Sequence, residues 1–355
     1  THYSLLDGAS KIPDLVKRAK ELNMPAVGIT DHGNMHGAYE MWSTAVKEGV
    51  KPIIGIEAYV TPETARQDQT RVSWDTNWNP DIDPQHRRRN PNDVSGGGLI
   101  THLTMWAETD EGLVNLMKAS TDANLEGRVM RYPRMDKEIL AKYSKGIIAS
   151  SGCPSGIIQT RLLLGQFDEA LRAAGELQDI FGRDNFYIEF MDHGLKIEKQ
   201  VTDGLLDIAK KLNAPLLATN DSHYVRAEDA GSQDAMLCIN SGSTLDEPGR
   251  FKFDGTGYYL KSAEEMRELF KDIPEACDNT LEIAERCNVM FDDHEDGAFM
   301  PQFDCPEGWD ETSLFLKKVE EGLERRYDGH PPIEVLKQAD YECGVICQMQ
   351  FCGYF

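Results

Sequence analysis

The sequence predicts an α/β architecture: an irregular barrel of the TIM type, followed by a mostly helical segment. Three observations lead there. Strand-like and helix-like patterns alternate up to about residue 262, which implies a mostly parallel sheet covered by helices. The number of these units suggests a barrel. Polar residues able to carry chemistry also fall where apolar strands end, on the face where barrel enzymes place their sites. No repeat of 20–50 residues is evident.

Taken in order, Ile12, Leu15, Val16, Ala19 and Leu22 recur at helical spacing after Ser10, a candidate cap. "PAVGITD" (25–31) reads as a short buried strand, and a helix over roughly 36–48 leads to the strand "KPIIGIEAYV" (51–60). Residues 63–98 break the rhythm: apolar residues are sparse, Pro, Asn, Asp and Gly are frequent, and a long surface insertion is expected. Its "HRRR" (86–89) is the one compact basic cluster, read as a solvated loop face or as a phosphate contact. "GLITHLTMWA" (98–107) is the next strand, followed by a helix near 110–122 and by "KGIIASSGC" (145–153). "SGIIQTRLLLG" and "DEALRAAGELQDIFG" are helical, "NFYIEFMD" (185–192) is a strand, and a helix near 197–212 leads to "PLLATNDSHYV" (215–225). Beyond 262 come helices only, with an acidic connector at 291–309, and a domain boundary is expected at 275–290. Residues 1–280 are thus assigned to the barrel and 281–355 to a second region.

The chain has 355 residues, 40% hydrophobic, and a formal net charge of −23. That charge argues against a free-standing nucleic-acid binder, which needs clustered Lys and Arg, yet clustered acids also serve as metal ligands. No apolar run approaches the roughly 18 residues of a membrane span, so no membrane partner is expected. The start, "THYSLLDGASK", has neither signal-peptide nor transit-peptide character and lacks Met, so an upstream beginning is expected. The ending "FCGYF" stops in mid-pattern and reads as a cut. Eight cysteines without a CxxC pair indicate a reducing, cytoplasmic setting and buried free thiols.

The strand ends carry the candidate site. "VGIT" runs into Asp31 and His32, "PIIG" into Glu57, "GIIAS" into Cys153, and "LLATN" into Asp221 and His223. His102 lies within its strand and Asp7 follows "YSLL". Each has a plainer role: His102 as a satisfied core histidine, Asp31 as a cap, Glu57 as a partner for a surface Lys, Asp7 as a turn former, Cys153 as a structural thiol. Together, carboxylates, imidazoles and a thiolate suit Zn²⁺, Mn²⁺ or Fe²⁺, and several can hold two or three ions. Clustered ions of this kind act on phosphate esters. His36 and His193 are expected at the surface or behind the ligands.

"THYSLLDGASKI", "GITDHGNMHGAYE", "KPIIGIEAYV", "HLTMWAE", "SGCPSG", "ATNDSHYV", "FDGTGYYLKSAEEM" and "ACDNTLEIAERC" resemble the polymerase-and-histidinol-phosphatase (PHP) domain of bacterial replicative DNA polymerase III alpha subunits. "MQFCGYF" is similar to the start of the palm in that family, with Gln350 and Cys352 where Gly and Pro are usual. The resemblance implies a distorted (β/α)7 TIM-like barrel, then the helical beginning of the palm. It implies a di- or trinuclear centre, with Asp7, His32, Glu57, His102, Cys153, Asp221 and His223 at the family's ligand positions. The family's HxH pair falls immediately before the equivalent of Thr1, and its polymerase aspartates lie beyond Phe355.

The implied activity is a proofreading 3′→5′ exonuclease that hydrolyses the terminal phosphodiester of DNA, with Asp221, His223 and Glu57 in the catalytic set. Zn or Mn would serve this centre and Mg the polymerase. The implied partners are primer-template DNA with a single-stranded 3′ end, the remaining polymerase domains, the sliding clamp and other replisome subunits. Three alternatives stay open: a silent scaffold supporting the polymerase, a small-molecule phosphoesterase, and a Cys–His hydrolase built on Cys153.

Overall fold

A computed structural model of the chain describes residues 1–5, 7–75, 98–292 and 303–355. The chain divides into two units, Thr1–Phe291 and Asp292–Phe355.

The first unit begins with α1 (Ile12–Glu21), which turns Ile12, Leu15, Val16 and Ala19 inward. It continues through β1 (Ala26–His32), α2 (Ala38–Glu48), β2 (Lys51–Val60), β3 (Thr101–Ala107) and α3 (Asp110–Glu126). Then come β4 (Arg134–Met135), α4 (Lys137–Lys142), β5 (Ile147–Ser150), α5 (Ile157–Leu163) and α6 (Phe167–Phe181). β6 (Phe186–Phe190), α7 (Lys196–Leu212), β7 (Leu216–Ala218), α8 (Ala230–Ser241), α9 (Ala263–Leu269) and α10 (Pro274–Arg286) complete it. Local chemistry sets many ends. The Thr109 hydroxyl caps α3 by accepting from Gly112 N, the Asp136 carboxylate caps α4 by accepting from Ile139 N, and left-handed Asn213 stops α7.

The strands form one curled sheet in the order β1-β2-β3-β5-β6-β7, with β4 beside the end of β2. β1/β2, β2/β4, β5/β6 and β6/β7 are parallel. The exception is β3, which runs antiparallel to both β2 and β5. Among the described residues no ladder joins β1 to β7, so the sheet is an open half-barrel of the predicted TIM-like class. α10 covers the free edge of β7, where Asn279 Nδ2 donates to the Leu216 carbonyl at 2.7 Å. The main apolar core runs from Ile12 and Val16 through Ile54, Ile56, Leu116 and Ile188 to Ile208, and a separate cluster packs Ile53, Trp106, Ile148 and Leu217 with Ile283 and Ala284 of α10.

The start of the insertion, residues 63–75, is less loose than its composition suggests. Arg66 bonds Glu126, Asp136 and Glu138, Glu63 pairs with Arg161 and Arg172, and Trp74 is buried with Arg161 4.2 Å above its ring. Buried Arg134 fastens the same stretch by donating to the carbonyls of Arg66 and Asp68. Paired charges replaced apolar residues there, and a hydrophobicity pattern does not register them. The "HRRR" cluster and part of the acidic connector lie outside the described residues.

The second unit contains α11 (Glu311–Arg326) and α12 (Ile333–Gln348). No helix among the described residues is long and apolar enough to cross a membrane. All eight cysteines are free thiols, five of them buried.

Candidate metal centre

Parallel register puts the ends of β1 and β2 side by side, pairing His32 with Glu57. His102 reaches the same end because β3 is antiparallel: its first residues, not its last, lie beside the end of β2, with His102 opposite Tyr59. The SGCPSG loop after β5 is held against β3, since His102 N donates to the Ser155 carbonyl at 3.1 Å. The segment after β7 is tied to the first loop by Ala9 N, which donates to the His223 carbonyl at 2.7 Å. These ties bring all seven candidate ligands into one region.

His32 is at its centre. Nε2 lies 3.1 Å from Asp7 Oδ2 and Nδ1 lies 3.2 Å from Glu57 Oε2. Glu57 Oε1 is 2.7 Å from His102 Nδ1. Cys153 Sγ lies 3.3 Å from that nitrogen and 3.4 Å from Glu57 Oε1. On the other side, the His223 ring centroid is 5.9 Å from that of His32. His223 Nδ1 is 2.7 Å from the Asp221 carbonyl, to which it donates, leaving Nε2 free for a ligand. Asp221 adopts φ 42°, the left-handed region that aspartate tolerates better than most residues. Its carboxylate is 3.7 Å from His223 Nδ1.

Burial alone would raise the Glu57 carboxyl, but His32 and His102 together hold it well below the ordinary value. Burial alone would lower the His32 imidazole, but Glu57 and Asp7 hold it well above the ordinary value. Burial, then the charges of Glu57 and Asp221, push the Cys153 thiol up. Acids and bases are thus packed together beyond what hydrogen bonds among them can satisfy. Asp7 Oδ1 is buried without a hydrogen-bond partner, and His32 Nδ1 meets Glu57 Oε2 at 3.2 Å without good hydrogen-bond geometry.

Among the described residues two ligand triads fit a cation: Asp7–His32–His223 and His32–Glu57–His102, each with its donor atoms within 4.8 Å of one another. Oxygen, imidazole and sulfur donors of this mixture match borderline divalent metals. A cavity of about 450 Å³ lies alongside and is lined by His32, Glu57, Cys153, Asp221 and His223.

Other expectations are resolved less evenly. His36 is exposed. His193 is not a surface residue: its side chain is buried, with Nδ1 2.6 Å from Glu198 and Nε2 2.9 Å from the Asn220 carbonyl. Asp31 is buried and takes hydrogen bonds from the Ser4 hydroxyl at 2.7 Å and the Thr1 hydroxyl at 2.9 Å, so it is no helix cap. Among the described residues Glu57 pairs with His32 and His102 and with no lysine. Reasoning from sequence missed Tyr59, whose ring stacks 6.2 Å from His32, and Glu189, 3% exposed on β6 and lining the same cavity. A charged residue inside the apolar run "FYIEF" was the available signal for the second.

The sequence profile of the PHP domain family matches residues 1–193. The chain is 49% identical to DNA polymerase III subunit alpha of Mycobacterium tuberculosis over 356 residues, which cover 100% of this chain and 29% of that protein. The same-named protein of Saccharopolyspora erythraea is 49% identical with the same coverage. That of Borreliella burgdorferi is 38% identical over 360 residues, covering 99% of this chain and 28% of the relative. The chain therefore spans less than a third of these relatives' length. A crystal structure from Bifidobacterium adolescentis aligns at a TM-score of 0.36 with 16% identity, over 75% of this chain and 92% of that one, a likeness too weak to bear on the site.

Proposed function

This chain belongs to the PHP domain family, and on that premise we propose that its first unit is a metal-dependent phosphoesterase centre that removes nucleotides from the 3′ end of DNA. The role is that of a proofreading 3′→5′ exonuclease within a replicative DNA polymerase. Its partners are primer-template DNA, the remaining polymerase domains, the sliding clamp and other replisome subunits. The observation that supports this most is the gathering of Asp7, His32, Glu57, His102, Cys153, Asp221 and His223 from three strands and three loops.

Asp7, His32 and His223 would hold one divalent ion; Glu57 and His102, with Cys153 beside them, would share His32 to hold another. Zn or Mn fits these donors, and such ions polarise phosphoryl oxygens and make water acidic enough to react near neutral pH. The chain's own groups do the rest. The Asp221 carbonyl fixes the His223 tautomer. The Tyr59 ring walls off one side of His32 and His102 from solvent. The carboxylates repel a DNA phosphate unless cations neutralise them, so substrate and metal are bound together. A net charge of −23 leaves most DNA affinity to other domains.

A single-stranded oligonucleotide labelled at its 3′ end, incubated with the chain and Mn²⁺, tests the reading. Stepwise release of the label by the wild type, lost in Asp221→Asn, is expected. An intact oligonucleotide alongside hydrolysis of small phosphomonoesters would contradict it.

A further inference from the structure

Glu189 enters the cavity beside the candidate ligands but belongs to neither ligand triad. Its Oε2 accepts from the Ser150 hydroxyl and, at 3.1 Å, from Gly152 N; its Oε1 accepts from the Thr219 hydroxyl. Its own amide donates to Ser151 Oγ at 2.9 Å. Gln159 Nε2 then bonds Ser151 Oγ at 3.1 Å and the Gly152 carbonyl at 2.7 Å. Among the described residues no salt bridge reaches Glu189. One carboxylate therefore joins the residue before Cys153 to the residue two before Asp221.

We propose that Glu189 is a positioning residue: it clasps the Cys153 loop to the end of β7 and so sets the spacing of Cys153, Asp221 and His223. The proposal rests on reading the site as a metal centre. Both loops leave short strands, of four and three residues, so the ladder alone gives them little support. Gly152 adopts φ 79°, and its buried amide donates to Glu189 Oε2. Outer groups that orient ligands are typically worth about 10- to 100-fold in metal affinity.

Glutamine separates positioning from charge. Its oxygen can take the Ser150 and Gly152 donors, and its amide can donate to the Thr219 hydroxyl, which rotates to accept. Alanine breaks all three ties. The test titrates Co²⁺ into wild type, Glu189→Gln and Glu189→Ala, following the cobalt–thiolate charge-transfer band that reports Cys153. Amide exchange over 150–156 and 219–224 is measured on the same proteins without metal.

Glu189→Ala is expected to bind cobalt about 10- to 100-fold more weakly, with a diminished thiolate band and faster exchange in both segments. Glu189→Gln is expected to stay near wild type in all three. Glutamine as impaired as alanine would overturn the proposal, because lost charge would then be the cause. Alanine indistinguishable from wild type would also overturn it. Should Glu189→Ala not fold, Thr219→Val cuts the tie from the β7 side; unchanged cobalt affinity and exchange there would count against the proposal equally. A wild-type chain that takes up no cobalt would defeat the metal reading itself, and this inference with it.

Discussion

Glu57 Oε1 lies 2.7 Å from His102 Nδ1, across two strands that run in opposite directions. Glu57 faces Thr104 in the register and His102 faces Tyr59, so the pair is diagonal and on one face of the sheet. Diagonal neighbours stand about 7–8 Å apart in the backbone, a gap that only long side chains close. The contact brings a β3 residue into a site otherwise built from the first loop and the far ends of parallel strands.

Glu57 is shared by His32 and His102. Glu57→Gln should therefore weaken binding of Zn²⁺ or Mn²⁺ by more than the roughly 10- to 100-fold typical of an outer group. Isothermal titration of wild type and variant measures it. An unchanged affinity would remove Glu57 from the ligand set.

Burial, reinforced by Asp221 and Glu57, pushes the Glu189 carboxyl up to about 7 in the absence of metal, despite the Ser150 and Thr219 hydroxyls. The folded state then binds its proton more tightly than the unfolded chain does. That contribution is complete below about pH 4.5 and is lost as pH rises to about 7. Metal-free wild type should lose about 3 kcal/mol relative to Glu189→Gln across this window, and no more above it. Urea unfolding of both proteins from pH 4.5 to 8 reads the difference.

Much of the site was legible in the sequence because its strands are apolar until they end. "VGIT" before Asp31–His32 and "LLATN" before Asp221–His223 mark the switch directly. His102 was ambiguous, since strand direction leaves no trace in composition: the same residue is mid-core in a parallel strand and at the mouth in an antiparallel one. Glu189 and the buried His193–Glu198 pair were hidden for another reason. Their partners are hydroxyls, amides and charges brought near only by the fold. The Arg66 and Glu63 networks escaped likewise, so the start of the insertion read as loose.

Arg134 is fully buried and donates to four carbonyls, those of Leu99, Gly127, Arg66 and Asp68. Arg134→Met keeps much of the volume but strands these acceptors. It should cost about 3–5 kcal/mol in urea unfolding, with metal content per folded chain unchanged.

Gly152 combines φ 79° with a close approach: an added Cβ would lie 3.1 Å from the His102 carbonyl oxygen. Gly152→Ala should cost about 1–2 kcal/mol through backbone strain. It should also shift Cys153, which a weaker cobalt–thiolate band would register.

The metal content of the purified chain, after loading with zinc or manganese and removal of free ions, tests the central claim most directly. Elemental analysis by mass spectrometry should find at least two ions per chain in wild type and fewer in Asp221→Asn. A folded wild type that retains none would contradict the account.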